Sequence, residues 1–393
     1  MYLKLLLTTT LSQAKDLFPA VLVTGPRQAG KTTFLLHESG KEIAYVSFDD
    51  PIERQFGKSD PNGFLDRFAD RTVILDEVQY LPEILPYLKM RIDRNRKKNG
   101  RWLLTGSQQF QLMKNISESL AGRVALLELL PFSTIEHKYT QLDALIWNGC
   151  YPEPALNAKI RELWVRSYIQ TYIERDIRQL QNIKDIHTFG LFLGLAAARH
   201  SQILNAATLA RDVGVSQPTI KSWTAVMEAS YLCRLLPPYF KNYGKRLVKT
   251  PKLYFLDTAI VCELTRQPNG SAALAGAMGG ALFEGLIVSE AVKVFTMLGK
   301  SPDIFFWRSH DGLEVDLIIQ VQGKLVPVEI KLTATPTEGH AGPLQRFKAL
   351  AGRDAADTGL VVCRVKEEKK LPFGNIALPW EHFADWLFRL LKG

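Results

Sequence analysis

The chain of 393 residues is long for a single hydrophobic core, so two or three domains are expected. Apolar residues make up 46% of it and charged residues 23%, an ordinary balance for a globular protein that excludes a low-complexity or disordered chain. The net charge of +9 favours an acidic partner such as DNA but does not require one. Four cysteines without a C-x-x-C motif or a pairing pattern indicate structural thiols in a reducing compartment.

The start of the chain and its most apolar stretch predict a cytoplasmic protein without a membrane partner. The apolar run in "MYLKLLLTTTL" is too short for a signal peptide, and no small-residue cleavage site follows it. The apolar stretch "FGLFLGLAAA" (189–198) covers only about half of a bilayer.

The pattern of apolar runs divides the chain into three predicted domains. Short β-rich runs alternate with helical stretches over residues 19–130 ("AVLVT", "EIAYVSF", "TVILD", "RWLLTG", "VALLEL"), which predicts an α/β domain with buried parallel strands at 1–135. A mainly helical segment and two strands around a basic loop follow, giving a domain at 136–265. The segment "RQPNGSAALAGAMGG" (266–280) is predicted to be a linker, and 266–393 is the third domain.

The stretch "GPRQAGKTT" (25–33) fits the phosphate-binding motif G-x-x-x-x-G-K-[ST] and lies between a predicted strand and a predicted helix, as that motif requires. Its glycines let backbone N–H groups face a polyphosphate, and the helix start adds its positive end. Lys31 is expected to reach the β and γ phosphates of ATP, and the Thr32 hydroxyl to bind Mg²⁺. A glycine turn before a helix is the alternative. The predicted nucleotide-binding residues of this loop are Gly25, Pro26, Arg27, Gln28, Ala29, Gly30, Lys31, Thr32 and Thr33.

The stretch "TVILDEVQ" (72–79) predicts the second half of an ATP site. Its β-formers carry Asp76 to the carboxyl end of a strand, where a carboxylate can hold Mg²⁺. Glu77 follows directly and is the candidate catalytic base for the attacking water. The strand "RWLLTGS" (101–107) brings Thr105 and Ser107 as polar groups able to sense the γ-phosphate. A capped strand end is the alternative for the two acids.

Arg123 and the basic stretch "KMRIDRNRKKNGR" (89–101) have two interpretations each. Arg123 is a candidate catalytic arginine finger that completes a neighbour's site, and this role would require a homo-oligomer such as a ring or dimer. The alternative is an ordinary surface arginine.

The basic stretch is interpreted as a solvated helix end and loop, with nucleic-acid binding as the alternative.

With "GPRQAGKTT", "LDEVQ", "LTGSQ" and "LAGR" in this order, the first half resembles an AAA-type P-loop ATPase of the kind common in bacteria and archaea. The stretches "YIERDIRQL", "TPKLYFLDTAI" and "EVDLII…VEIKL" resemble a C-terminal domain of unknown function that is often fused to it. The resemblance implies ATP binding, a winged-helix element and a nuclease-like C-terminus. Cys150 in "NGCYPEP" departs from the pattern, which usually has a second glycine there.

Residues 205–232 predict a helix-turn-helix. Ser216 can cap the second helix, and Pro218 suits its first turn. The predicted interior consists of Ala207, Leu209, Ala210, Val213, Ile220 and Val226. The residues predicted to face a DNA groove are Gln217, Thr219, Lys221 and Ser222.

The basic loop "FKNYGKRLVKT" between two predicted strands is the candidate wing. Its cations are placed to contact DNA phosphates, which position a protein without specifying sequence. A winged helix used only for protein packing is the alternative. The predicted phosphate contacts are Lys241, Lys245, Arg246 and Lys249.

The stretch "GLEVDLIIQVQGKLVPVEIKL" (312–332) predicts a β-hairpin with a metal-dependent nuclease site. Asp316 and Glu329 fit the D-x(n)-E-x-K pattern of restriction-endonuclease-like folds and would bind Mg²⁺ through hard oxygen ligands. Lys331 would stabilise the charge that develops on the phosphate. Glu284 in the preceding helix is the candidate third acid, with Glu290 as the alternate.

Together these patterns predict an α/β protein with an AAA-like P-loop NTPase domain, a helical and winged-helix middle, and a C-terminal α/β restriction-endonuclease-like domain. The predicted activity is Mg²⁺-dependent ATP hydrolysis coupled to DNA binding or remodelling. Branched DNA and metal-dependent cleavage are suggested by analogy with junction-resolving enzymes. An ATP-gated regulatory switch with an inactive nuclease fold, or an ATPase directed at a protein, are the alternatives.

Overall fold

The computed structural model describes residues 2–40, 42–107, 116, 118–171, 186–240 and 250–393. They form two compact units. The first comprises residues 1–132 and 296–300, and the second comprises residues 133–295 and 301–393.

The core of the first unit is a five-stranded parallel sheet in the order β2-β3-β4-β1-β5. The central strands are buried along their whole length and are mainly apolar, with buried polar side chains at their carboxyl ends. This confirms the predicted α/β class and the predicted parallel strands. The strands are β1 (Ala20–Thr24), β2 (Ala44–Ser47), β3 (Val73–Asp76), β4 (Trp102–Gly106) and β5 (Val124–Glu128).

The helices of the first unit that follow β1 lie between successive parallel strands, which need such crossover connections. Aspartates begin two of them: the Asp50 side chain accepts the Ile52 N–H and the Asp60 side chain accepts the Gly63 N–H, each just before a proline. The helices are α1 (Leu7–Leu17), α2 (Lys31–Glu38), α3 (Pro51–Ser59), α4 (Pro61–Asp66) and α5 (Ile84–Arg94).

The second unit contains a helical part built around a three-stranded antiparallel sheet in the order β6-β8-β7. Its buried Arg161 stacks on the Trp147 ring at 3.5 Å and pairs with Glu263. The strands are β6 (Gln202–Ile203), β7 (Cys233–Leu236) and β8 (Lys252–Phe255). The helices are α6 (Leu142–Asn148), α7 (Pro152–Leu156), α8 (Arg161–Thr171), α9 (Ile186–Ala197), α10 (Ala206–Val213), α11 (Gln217–Ala229), α12 (Thr258–Leu264) and α13 (Gly270–Ala275).

A six-stranded mixed sheet in the order β13-β14-β12-β11-β10-β9 completes the second unit. The predicted hairpin is present: β10 and β11 are antiparallel, and Gln322 and Gly323 both take positive φ angles at the turn. The strands are β9 (Ile304–Arg308), β10 (Glu314–Val321), β11 (Lys324–Ile330), β12 (Leu360–Cys363), β13 (Lys369–Leu371) and β14 (Asn375–Pro379). The helices are α14 (Gly279–Met297), α15 (Glu338–Ala351) and α16 (Trp380–Lys392).

The predicted linker at 266–280 is wrong, because this segment is folded. It contains α13 and the start of α14, and a Cβ atom added to Gly270 would lie 2.2 Å from the Asp143 carbonyl oxygen. The small residues that suggested a linker instead allow α13 to approach α6 closely. The predicted boundary at 265/266 therefore falls inside one compact unit, and a further division of that unit stays a prediction.

Candidate functional site

The phosphate-binding loop joins the carboxyl end of β1 to α2, and its shape depends on glycine. Gly25 has a φ of 145°, and a Cβ atom there would lie 2.0 Å from the Leu129 carbonyl oxygen. Gly30 has a φ of 90° and lies directly before the first residue of α2. Residues that carry a side chain rarely adopt these backbone angles, so both positions require glycine for the loop to curl around an anion.

Lys31 and Thr32 are the first two residues of α2, and both side chains make polar contacts at the phosphate-binding loop. Lys31 is buried, and its Nζ donates to the carbonyl oxygens of Gly25 (3.1 Å) and Pro26 (2.8 Å), so the ammonium group folds back over the loop. Thr32 Oγ1 donates to Asp76 Oδ1 at 2.7 Å. Of the remaining loop residues, Pro26 and Ala29 are buried, Arg27 is half-buried, and Gln28 and Thr33 are exposed.

Asp76 is the centre of a hydrogen-bond network at the carboxyl end of β3. Its carboxylate accepts the Thr105 hydroxyl at 2.5 Å and the Tyr45 hydroxyl at 3.0 Å, in addition to Thr32. Burial and the Asp76 charge raise the pKa of Tyr45 to about 12. Tyr45 therefore stays a hydrogen-bond donor to this carboxylate at physiological pH.

Glu77 has a left-handed backbone conformation (φ 55°) that turns it away from the strand. Its Oε2 accepts the Ser107 hydroxyl at 3.2 Å and a short hydrogen bond from the Gln79 amide. Gln79 was not among the predicted site residues, although it ends the quoted motif "LDEVQ". Ser107 and Gln79 thus hold the carboxylate that is the candidate catalytic base.

These residues fit a magnesium–nucleotide complex. The loop provides an anion cradle, Lys31 provides a cation, and the Thr32–Asp76 pair provides two hard oxygen atoms within hydrogen-bond distance. All of these groups meet at the carboxyl edge of the parallel sheet, where such folds bind ligands.

Arg123 forms a bidentate ion pair inside the first unit. Its Nε and Nη2 donate to the two carboxylate oxygens of Asp93 at 2.6 and 2.9 Å. The predicted arginine finger would have to leave this pair, so that role stays a prediction.

The predicted acids of the hairpin lie in a buried cluster in the second unit. Lys331 Nζ contacts Asp316 Oδ2 at 3.0 Å and Glu329 Oε1 at 2.7 Å. Asp316 Oδ2 also accepts the Ile330 N–H at 2.8 Å, while Glu329 Oε2 is buried without a hydrogen-bond partner. Burial and the Asp316 charge raise the pKa of Glu329 to about 8.

Glu284 adjoins this cluster and is held by β8. Its Oε1 accepts Lys252 Nζ at 3.0 Å and the Tyr254 hydroxyl at 2.5 Å, and Lys252 also pairs with Glu314. Burial and the Asp316 charge raise the pKa of Glu284 to about 7. Sequence reasoning missed Lys252 and Tyr254, because they lie far from the hairpin along the chain.

The metal site of the hairpin stays a prediction. Among the residues that the structure describes, no group of three metal-binding side chains forms an ion site, and Lys331 and Lys252 bridge the predicted acids. The alternate acid, Glu290, lies in a separate buried cluster, where it accepts the Thr134 backbone N–H and hydroxyl at 2.8 Å each and pairs with Lys293.

The helix-turn-helix forms as the sequence predicts. Ser216 accepts the Thr219 N–H at the start of α11, and Gly214 takes the left-handed conformation at the end of α10. Gln217 and Lys221 are exposed and Thr219 is half-buried. Ala207 is exposed rather than interior, because it lies in the first turn of α10 on the solvent side. The wing residues Lys241, Lys245, Arg246 and Lys249 lie outside the described residues.

The family match of the first unit agrees with the geometry of the ATP site. The AAA domain family matches residues 17–138, and two domains of unknown function (DUF8612 and DUF4143) match residues 139–271 and 279–383. The uncharacterized protein Rv2008c of Mycobacterium tuberculosis is 33% identical over 324 residues, which cover 81% of this chain and 71% of that protein. The uncharacterized protein MJ1544 of Methanocaldococcus jannaschii is 24% identical over 354 residues, covering 81% of this chain and 76% of its own.

A solved structure with a related description is the Walker-type ATPase PABY2304 of Pyrococcus abyssi. It is 14% identical, with a TM-score of 0.43 over 66% of this chain and 94% of its own.

The first unit is thus an AAA-type P-loop ATPase domain. The chain belongs to the same family as the mycobacterial protein. In the parts of the chain that the structure describes, no helix is long and apolar enough to cross a membrane.

Proposed function

We propose that this protein hydrolyses ATP in a Mg²⁺-dependent reaction and couples the hydrolysis to binding or remodelling DNA. The observation that carries the ATPase part is the 2.7 Å hydrogen bond between Thr32 of the phosphate loop and Asp76 of the neighbouring strand. It brings together the two residues that would share a magnesium ion.

The remaining groups of the site supply the other requirements of phosphoryl transfer. Mg²⁺ bound by Thr32 and Asp76 would neutralise charge on the β and γ phosphates. Lys31 would exchange its two carbonyl contacts for phosphate oxygens. Glu77, oriented by Ser107 and Gln79, would align the attacking water and accept its proton.

The DNA part of the proposal is supported by the helix-turn-helix. Recognition helices present the side chains of their first turns to a DNA groove, and Gln217 and Lys221 are exposed at the start of α11. The net charge of +9 favours such an anionic partner.

Replacing Lys221 with alanine is expected to weaken DNA binding and to reduce the salt dependence of the binding constant by roughly one phosphate contact. Fluorescence anisotropy of a labelled duplex over a salt series measures this change. Lys159→Ala removes an exposed cation from a 3-10 turn in the same unit and serves as the matched control. Equal effects of the two substitutions would argue against the helix-turn-helix as the DNA contact.

A second candidate function is metal-dependent cleavage of DNA, including branched DNA such as four-way junctions. The specific observation in its favour is the buried Glu329 Oε2, which has no partner beside the crowded charges of Asp316 and Glu284. Asp316, Glu329 and Glu284 would hold the ion, which would stabilise charge on the phosphate during cleavage. Lys331 would stabilise the same charge.

Asp316→Asn is expected to abolish cleavage of duplex and junction DNA while leaving ATP turnover unchanged. In the wild type, Mn²⁺ is expected to raise the melting temperature more at about pH 9 than at about pH 6, because Glu284 and Glu329 must lose protons to bind a cation. The substitution is expected to remove that difference.

The exposed Asp311 lies in the loop before β10, so Asp311→Asn is the control. Absence of cutting and of any metal effect in the wild type would leave an inactive nuclease fold. ATP turnover that is insensitive to DNA would then favour the alternative of an ATP-gated switch. Absence of DNA binding would favour a protein partner.

A further inference from the structure

A small cavity lies at the edge of the first unit where the parallel strands begin. Its volume is about 170 Å³, and it is bordered by Pro19 before β1, Trp102 at the start of β4 and the end of α5. The phosphate loop lies at the other end of β1, roughly 16 Å away for a five-residue strand. ATP bound at the phosphate loop therefore does not occupy this cavity.

The polar lining of the cavity is cationic. It consists of Arg91, Arg94, Asn95, Lys98 and Arg101, and no carboxylate lines the cavity among the described residues. Arg91 is fixed by Asp66 at 2.7 Å, and Arg101 donates to the Phe68 carbonyl at 2.6 Å. Arg94 and Lys98 are exposed and make no ion pair within the described part of the chain.

The positive surface continues past the cavity. Arg96 and Lys97 are exposed between Arg94 and Lys98, and they too make no ion pair with any described residue. Asp93 is the only acid of the stretch 89–101, and Arg123 neutralises it through two hydrogen bonds. The ion pairs of Arg123 with Asp93 and of Arg91 with Asp66 thus leave Arg94, Arg96, Lys97 and Lys98 as a group of exposed cations.

Some of these positive residues can be explained by stabilisation of the end of α5, but not all of them. Arg91 and Arg94 lie in the last turn of the helix, where cations favourably meet the helix dipole. Arg96, Lys97 and Lys98 follow the helix end and lack that explanation. A series of cations beside a cavity matches a series of phosphates better than it matches a single anion.

The surface is also unlike a protein-binding surface. Protein interfaces usually have an apolar centre. Here three of the four apolar residues that line the cavity, Pro19, Ile92 and Trp102, are buried, and the exposed one is the small Ala69.

We propose that this edge of the ATPase unit binds the phosphodiester backbone of a nucleic acid, with Arg94 and Lys98 contacting phosphates and Arg91 and Arg101 shaping the pocket. The site shares no residue with the helix-turn-helix. It shares with the proposed function the premise that the chain binds nucleic acid.

The test compares two double variants of the full chain, both lacking two cations of the first unit. Arg94→Ala with Lys98→Ala removes the proposed contacts. Lys4→Ala with Lys58→Ala removes two exposed cations elsewhere that make no ion pair in the described residues. Binding of a fluorescein-labelled duplex is measured by anisotropy from about 50 to about 200 mM KCl. Melting curves and binding of a fluorescent ATP analogue show that each variant folds.

The double variant that lacks Arg94 and Lys98 (the pocket pair) is expected to lower the slope of the logarithm of the DNA-binding constant against the logarithm of the salt concentration by roughly 2. The double variant that lacks Lys4 and Lys58 (the control pair) is expected to leave this slope nearly unchanged. Equal slopes in the two pairs would overturn the inference while leaving the proposed function intact. No binding by the wild type would overturn both. Normal DNA binding by the pocket pair together with lost retention on immobilised polyglutamate would assign the surface to an acidic protein and also overturn the inference.

Discussion

Replacing Glu77 with glutamine is expected to lower ATP turnover at least about a hundredfold, while ATP binding stays within about threefold of the wild type. Glutamine has the same shape but cannot accept a proton from water. The amide oxygen can still accept the Ser107 hydroxyl and the Gln79 amide, so the loop around Glu77 is expected to keep its structure. Phosphate release measures turnover, and a fluorescent ATP analogue measures binding.

The matched control for this prediction is Glu83→Gln. Glu83 is exposed, lies directly before α5 and makes no side-chain capping bond, so its charge is not expected to matter for hydrolysis. Turnover by the Glu77 variant at the level of this control would show that another group activates the water.

Replacing Arg161 with methionine is expected to lower the free energy of unfolding of the second unit by about 3 kcal/mol. The Arg161 side chain is buried and donates to the Trp147 and Ala259 carbonyl oxygens at 2.9 and 3.2 Å and to Glu263 at 3.0 Å. Methionine fills similar volume but leaves both carbonyls without this donor and Glu263 without its buried partner. The melting temperature of this unit is expected to fall by roughly 6–12 °C.

Arg166→Met is the control that distinguishes the contribution of the buried hydrogen bonds of Arg161 from that of its ion pair with Glu263. Arg166 is on the same helix and also pairs with Glu263, at 3.5 Å, but its side chain is 72% exposed. Exposed ion pairs contribute little, so its loss is expected to change the free energy of unfolding by less than about 1 kcal/mol. Similar destabilisation by both substitutions would show that the ion pair, rather than the buried hydrogen bonds, is what matters.

Local patterns in the sequence were sufficient to predict the parallel strands and the phosphate-binding loop of the ATPase unit. The central strands of that unit are mainly apolar because both faces of a parallel sheet are buried. The loop "GPRQAGKTT" places Lys31 and Thr32 by its position between a strand and a helix. The hairpin at Asp316 and the cap at Ser216 were predictable for the same reason, since each depends on neighbouring residues.

Contacts between distant segments could not be predicted from local patterns. Lys252 and Tyr254 reach Glu284 from a strand about thirty residues earlier, and only the fold brings them together. A lysine in a short strand gives no signal that it will neutralise two acids. The linker prediction for 266–280 was wrong for a related reason. Glycine occurs both in flexible linkers and where helices pack closely, and the sequence alone does not distinguish the two.

The first unit is discontinuous along the chain, since residues 296–300 return to it after most of the second unit has been formed. The Thr10 hydroxyl donates to the Met297 carbonyl at 2.9 Å, so this return contacts α1 directly. Expression of residues 1–135 alone would therefore omit part of the ATPase unit and uncover the side of α1 that contacts it. During synthesis on the ribosome, the ATPase unit cannot be complete until residues 296–300 have been made, so residues 1–132 must remain unfinished while the segment between them emerges.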